Sequence, residues 1–172
     1  MRIAISGAHG TGKSTLAEVL VEALPGYTNV EEPYYQLLDD GYDFEEEPSL
    51  DDFALQLQRS IASLAEERTN VIFDRCPADF LAYIFALGGT DPGSLMTEAK
   101  RAMETLDLIV LVPIETPDRI SLPDQENPRL RRQVDQRLHE LLIDNDIEVQ
   151  VEVIAVAGSV GERVERIFQR IR

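Results

Sequence analysis

Gly7-Ala8-His9-Gly10-Thr11-Gly12-Lys13-Ser14 constrains this chain more than any other stretch, because a complete G-x-x-x-x-G-K-S pattern sits between the apolar run Ile3-Ala4-Ile5 and the helix-forming run Thr15-Leu16-Ala17-Glu18-Val19-Leu20. Gly7, Gly10 and Gly12 allow a tight turn that aims several backbone N–H groups at one place, where an alkyl side chain would block a phosphate. The pattern predicts a strand, a phosphate-binding loop, and a helix whose N-terminal dipole lies beneath the anion. Lys13 offers a point charge to the outer phosphates and Ser14 a hydroxyl to Mg²⁺. The expected triphosphate-binding set is Gly7, His9, Gly10, Thr11, Gly12, Lys13, Ser14 and Thr15; His9 stands at a variable position of the pattern and is assigned no catalytic part.

The 172 residues suit a single domain over positions 1–172, with 44% apolar and 28% charged residues as in an ordinary water-exposed fold. Apolar runs fall far short of the roughly 18 residues of a membrane span, and the N-terminus enters a strand at once, so a cytoplasmic protein is expected. The lone Cys76 fits a reducing compartment and, with no second cysteine, neither a disulfide nor a thiolate metal site. A net charge of −16 argues against nucleic acid as a partner, since its phosphates would be repelled. The acid is unevenly spread: no Lys or Arg separates Lys13 from Arg59, an interval that holds Glu31, Glu32, Asp39, Asp40, Asp43, Glu45, Glu46, Glu47, Asp51 and Asp52.

Strands are expected at about 2–6, 27–31, 71–74, 108–112 and 147–156, alternating with helices, which implies an α/β fold with a parallel sheet covered on both faces. An exposed acidic loop is expected at 41–48, followed by a helix capped at Ser49, with Phe53, Leu57, Ile61 and Leu64 on its core side. Asp74 ends the third strand at the carboxyl edge of the sheet and is the natural Mg²⁺-side carboxylate beside Ser14. Four prolines between 113 and 128 exclude regular structure there, and a helix follows from about Arg129 to Ile143. Leu130, Val134, Leu138 and Leu141 form one stripe of that helix, placing Arg129 and Arg132 on its polar face. Ser159-Val160-Gly161-Glu162 reads as a capping box that starts the last helix.

Phe73-Asp74-Arg75-Cys76-Pro77-Ala78-Asp79-Phe80-Leu81-Ala82-Tyr83 resembles the Asp-Arg-small-Pro-x-Asp-x-x-Ala-Tyr segment of the AAA-type ATP-binding family related to ribosylnicotinamide kinase domains, within the P-loop NTPase superfamily. It resembles more distantly the Glu-Arg-Ser segment of deoxynucleoside kinases, and Glu31-Glu32-Pro33 resembles their Glu-Pro segment. The resemblance implies a P-loop kinase-like three-layer α/β/α sandwich around a five-stranded parallel sheet. It further implies Glu32 as the base toward an acceptor hydroxyl, with Glu31 as the rival, and Arg75 as stabiliser of the transferring phosphate or holder of the acceptor. Arg129, Arg131 and Arg132 resemble a mobile arginine lid within 113–132, Arg129 and Arg132 being favoured by their shared face, and Gly158 and Ser159 match a loop that touches adenine.

The implied activity is that of an ATP-dependent kinase, with Lys13, Glu32, Asp74, Arg75, Arg129 and Arg132 as its catalytic set and ATP and Mg²⁺ as cofactors. Its partner would be a nucleoside-like small molecule without a phosphate, since the acceptor side has no arginine before Arg59; neither membrane nor nucleic acid is expected, and a homodimer is admitted as an assembly. The alternatives are an ATP-binding switch or standalone NTPase, and a nucleoside monophosphate kinase.

Overall fold

Three short apolar runs, each buried on both faces, make the centre of the sheet in the computed structural model, which describes residues 1–90, 92–118 and 127–171. β1 (Arg2–Ser6), β2 (Thr28–Val30), β3 (Val71–Asp74), β4 (Leu108–Leu111) and β5 (Glu152–Ala155) are all parallel, in the order β2-β3-β1-β4-β5. The two-residue period of a strand divides their side chains between two cores. Ile3, Ile5, Ile72, Leu108 and Val110 pack against α1 (Lys13–Ala23) and α7 (Val160–Ile171) through Leu16, Leu20 and Ile167. Ala4, Phe73, Ile109 and Leu111 point the other way, toward α3 (Leu50–Ala65), α4 (Pro77–Ala86), α5 (Ser94–Met103) and α6 (Pro128–Leu138). The expected three-layer sandwich with five parallel strands is the architecture found.

β1 lies at the middle of the sheet, with β3 and β2 on one side and β4 and β5 on the other. A parallel sheet whose connections diverge in this way leaves a crevice at the carboxyl ends of its central strands. The register Ile5↔Asp74 puts the carboxylate that ends β3 level with the last turns of β1, where the glycine-rich loop departs.

Several boundaries differ from the sequence expectation for local reasons. β5 starts only at Glu152, because Asn145 and Glu148 adopt left-handed backbone (φ 59 and 56), which interrupts a strand although Ile147 and Val149 are buried. β2 is confined to Thr28–Val30, and α2 (Pro33–Asp39) follows directly, a helix that the sequence reading lacked. Pro33 sits in its first turn, where a missing N–H costs nothing, and Leu37 anchors it in the core. Ser49 caps α3 by accepting from the Asp52 N–H at 3.1 Å, as expected. The Asp52 carboxylate accepts from the Tyr42 hydroxyl at 2.9 Å, and Phe44 stacks on Tyr34 with ring centroids 4.4 Å apart, so the acidic loop is tied to both flanking helices. The helix expected to end at Ile143 is α-helical to Leu138 and continues as a π-helical turn, His139–Ile143. Of the lid-like segment at 113–132, residues 119–126 lie outside the described residues. Among the described residues no helix is long and apolar enough to cross a membrane.

Candidate active site

The loop between β1 and α1 is held in shape from outside. A side chain at Gly7 would begin 2.5 Å from the Val112 carbonyl oxygen, and Gly12, which caps α1, has φ 83; only glycine meets both demands. Successive loop carbonyls each accept from a cation. Arg75 Nη1 donates to Gly7 O at 3.0 Å, Lys13 Nζ to Ala8 O at 2.7 Å, and Arg163 Nη1 to Thr11 O at 2.9 Å. Arg131 spans two, donating from Nε to His9 O at 2.8 Å and from Nη2 to Gly10 O at 3.0 Å. Anchoring the carbonyls fixes the peptide planes, and with them the N–H groups a phosphate needs.

Of the arginines in α6, it is therefore Arg131 that reaches the loop, buried and paired with Asp118, whereas Arg129 and Arg132 are exposed. The helical wheel favoured the latter pair because it ranks faces by polarity, and a buried arginine satisfied by carbonyls looks like part of the apolar side. Arg163, 152 residues from its partner Thr11, carried no sequence signal. Its Nη2 also donates to Glu115 at 2.9 Å, and the same carboxylate oxygen accepts the Gly158 N–H at 2.8 Å, which links the Gly158-Ser159 turn to the phosphate loop. Ser159 pairs with Glu162 as the capping box foresaw.

Asp79, at the third position of α4, is fully buried and accepts from Gly7 N–H and Cys76 N–H, each at 2.9 Å, and from Arg75 Nη1 at 3.4 Å. One carboxylate thus fixes both the start of the loop and the residue after Arg75. Arg75 itself has left-handed backbone, φ 76, held by its N–H donating to Ile5 O at 2.9 Å. A non-glycine residue in that region is strained, and such strain gathers at functional sites. Its Nε donates to Glu32 Oε1 at 2.6 Å, and its guanidinium lies over the Tyr83 ring, 5.6 Å from the centroid. Burial opposes the arginine's charge, but Glu32 above all keeps it protonated. Glu32, the residue preceding α2, faces the crevice, whereas Glu31 is exposed.

Ser14 Oγ donates to Asp74 Oδ2 at 2.7 Å, while Asp74 Oδ1 is buried and, among the described residues, has no hydrogen-bond partner. Burial pushes the Asp74 carboxyl up, and the Ser14 bond works against that. A serine hydroxyl beside an unsatisfied buried carboxylate oxygen fits a hard divalent cation such as Mg²⁺. Among the described residues no group of three or more His, Cys, Asp or Glu side chains could hold a metal, so the other ligands would have to be nucleotide oxygens and water.

Two cavities meet above these groups. One, of about 530 Å³, lies over the loop and is lined by Gly10, Gly12, Lys13, Ser14 and Thr15. The other, of about 430 Å³, has aromatic walls (Phe44, Phe53, Phe80 and Tyr83) and acidic side chains, Glu45, Glu46 and Asp52. His9, Glu32, Tyr34 and Arg75 line both.

Lys13 is buried, and burial first, then Arg75, lowers its pKa to about 8. Between that value and the ordinary 10.5 the unfolded chain binds more protons than the folded one, so stability rises with pH across this window and below it the folded protein bears the whole cost. That cost is about 3 kcal/mol. Lys13→Met should therefore raise the unfolding midpoint of the ligand-free protein at pH 7 by about 2–6 °C, after loss of the Ala8 bond is allowed for. The same variant should lose all stabilisation by nucleotide. Scanning calorimetry with and without ATP checks both signs.

Known structures share this architecture. Deoxyadenosine kinase from M. mycoides, with the products dCMP and dCDP bound, matches with a TM-score of 0.69 and 18% identity over 99% of this chain and 98% of that one. Thymidylate kinase from Candida albicans matches with a TM-score of 0.65 and 17% identity, over 99% and 90% of the two chains. YorR protein from Bacillus subtilis, in complex with phosphorylated GDP, matches with a TM-score of 0.65 and 14% identity, over 99% and 95%. No curated protein matches the sequence. Residues 2–163, which include every anchor of the phosphate loop described above, match the model of an AAA domain family, and the chain belongs to that family.

Proposed function

We propose that the protein is an ATP-dependent kinase that transfers the γ-phosphate to a hydroxyl of a nucleoside-like acceptor carrying no phosphate of its own. The observation that carries this reading is the junction of the two cavities: a carboxylate and an arginine, Glu32 and Arg75, stand between a phosphate cradle and an aromatic-walled pocket. A hydrolase needs no second pocket of that kind, whereas a transferase must hold two substrates in contact.

In this reading the loop N–H groups and Lys13 bind the triphosphate, and Gly158 and Ser159 lie against the adenine. When bound, Mg²⁺ would neutralise charge between the β- and γ-phosphates; Ser14 and Asp74 would hold it. Glu32 accepts the acceptor's hydroxyl proton and Arg75 stabilises charge on the phosphoryl group. Arg129 and Arg132, exposed at the start of α6, would reach the phosphates only by movement of that end; Arg131 is already committed to the loop.

The acceptor's charge follows from the pocket. Besides Glu32 it is lined by Glu45, Glu46 and Asp52, and its single Lys or Arg among the described lining residues, Arg75, is already paired with Glu32. A phosphorylated acceptor would bring about two more negative charges beside these carboxylates at close range. A flat acceptor, neutral or cationic, suits the walls and their charge.

Screening nucleosides, sugars and nucleoside monophosphates for acceptor-dependent ADP release tests this reading. An unphosphorylated nucleoside-like compound should raise ADP release well above the protein-alone rate. Protection from thermal unfolding by a nucleoside monophosphate and not by nucleosides would instead assign a monophosphate kinase. Hydrolysis indifferent to every acceptor and stimulated by a protein partner would assign a nucleotide-dependent switch.

A further inference from the structure

The aromatic pocket has a polar end away from the phosphates. Glu32 and Arg75 line both cavities, whereas Asp52 and Gln56 border only the aromatic one of the two. They stand one turn apart on α3, with 3% and 4% of their surfaces exposed. Asp52 Oδ1 accepts from the Tyr42 hydroxyl at 2.9 Å, while Oδ2 has no hydrogen-bond partner among the described residues. Gln56 Nε2 donates to Asp52 O at 3.3 Å. A carbonyl can only accept, so that bond orients the amide. It leaves Gln56 Oε1, which also has no partner among the described residues, as a second unused acceptor. Neither oxygen is sealed from solvent, and the pocket is an opening that both side chains border.

Two unused acceptor oxygens, against one remaining N–H on Gln56, call for a ligand that brings its own donors. Glu45 and Glu46, also in the lining, add further acceptors and negative charge. Resting on the kinase reading above, we propose that Asp52 is the specificity-determining residue of the acceptor pocket, and that the acceptor's ring carries an NH₂ group, amino or amide, that donates to Asp52 Oδ2. A molecule that presents a hydroxyl to Glu32, where the cavities meet, turns its far end toward Asp52. Gln56 Oε1, one turn along, accepts the second proton of the same group. Tyr42 is a positioning residue: it occupies Oδ1 and leaves Oδ2 for the ring. Tyr42 also belongs to the acidic segment that Phe44 ties to Tyr34, so one carboxylate reads the ring and holds the pocket wall. A ring offering only carbonyl oxygens or C–H groups at that end would set an acceptor against a buried carboxylate oxygen, or leave that oxygen desolvated and unpaired.

Matched ribosides that differ in the NH₂ group test this: cytidine against zebularine and uridine, adenosine against purine riboside and inosine, and a pyridinium riboside with and without a carboxamide. Acceptor-dependent ADP release gives kcat/KM for each, and protection from thermal unfolding gives binding without turnover. In at least one set the NH₂-bearing member should exceed its partners by about 10²-fold in kcat/KM. Asp52→Asn should bring that set to within about threefold, with the ATP Kd changed by less than about threefold. Tyr42→Phe should lower the same ratio several-fold through acceptor KM, and it carries the test alone if Asp52→Asn does not fold. Equal or better turnover of the compounds lacking NH₂, or a ratio that survives Asp52→Asn, or Tyr42→Phe where that variant stands alone, overturns the proposal and leaves the kinase reading in place. If nothing is turned over while an NH₂-bearing riboside alone protects the protein, and Asp52→Asn or Tyr42→Phe weakens that protection, the kinase reading fails and the subsite stands. Neither turnover nor protection by any of these compounds overturns both.

Discussion

Glu32→Gln should reduce acceptor turnover by about 10²–10³-fold while leaving ATP affinity within about threefold. The substitution keeps the shape of the side chain, and an amide oxygen can still accept from Arg75 Nε, the bond that now measures 2.6 Å. What it removes is the capacity to take a proton from the acceptor hydroxyl. The nucleotide site is little affected, because Lys13, Ser14 and the loop anchors Arg131 and Arg163 make no hydrogen bond to Glu32, and Arg75, the anchor that does, keeps its bonds to Gly7 O and Asp79. Steady-state kcat with saturating acceptor, beside calorimetric ATP binding, separates the two effects. Near-normal turnover would remove the role from Glu32.

Asp79→Ala should destabilise the protein by about 3 kcal/mol and lower its unfolding midpoint by roughly 6–12 °C. The aspartate is fully buried and accepts two backbone N–H groups, those of Gly7 and Cys76, as well as Arg75. Removing it leaves two buried donors unsatisfied and takes from Arg75 one of the charges that compensate its burial. Because Gly7 opens the phosphate loop, nucleotide affinity should fall as well, by about 10-fold or more, each lost hydrogen bond being worth about a kcal/mol. Asp79→Asn, which keeps one acceptor oxygen, should lie between the two. Thermal unfolding with and without ATP measures both consequences, and a midpoint within about 2 °C of the parent would refute the anchoring role.

The glycine-rich turn between β1 and α1, the strand-end position of Asp74 and the caps at Ser49 and Ser159 were legible in the sequence because each is a local arrangement. Spacing over at most eight residues specifies them, and the physics that makes them work acts over the same distance. The Glu31 and Glu32 pair shows where that reach ends. Adjacent residues diverge, but which of them meets Arg75 depended on a helix starting at Pro33, and a β2-to-loop reading did not contain that helix.

The arginines mark the same limit more sharply. Polarity on a helical wheel selected Arg129 and Arg132, which are exposed, and passed over Arg131, whose guanidinium is buried because it found carbonyl oxygens 121 and 122 residues away. Periodicity reports how polar a side chain is and carries nothing about what will satisfy it.

By itself the sequence determined that a strand, a glycine-rich turn and a helix would follow one another, and that the sheet around them would be parallel and buried on both faces. Only the tertiary structure decided which cations hold that turn open: Arg75 from the end of β3, Arg131 from α6 and Arg163 from α7. A buried guanidinium is stable only where several acceptors converge, and that convergence exists only once the three elements have packed around the loop.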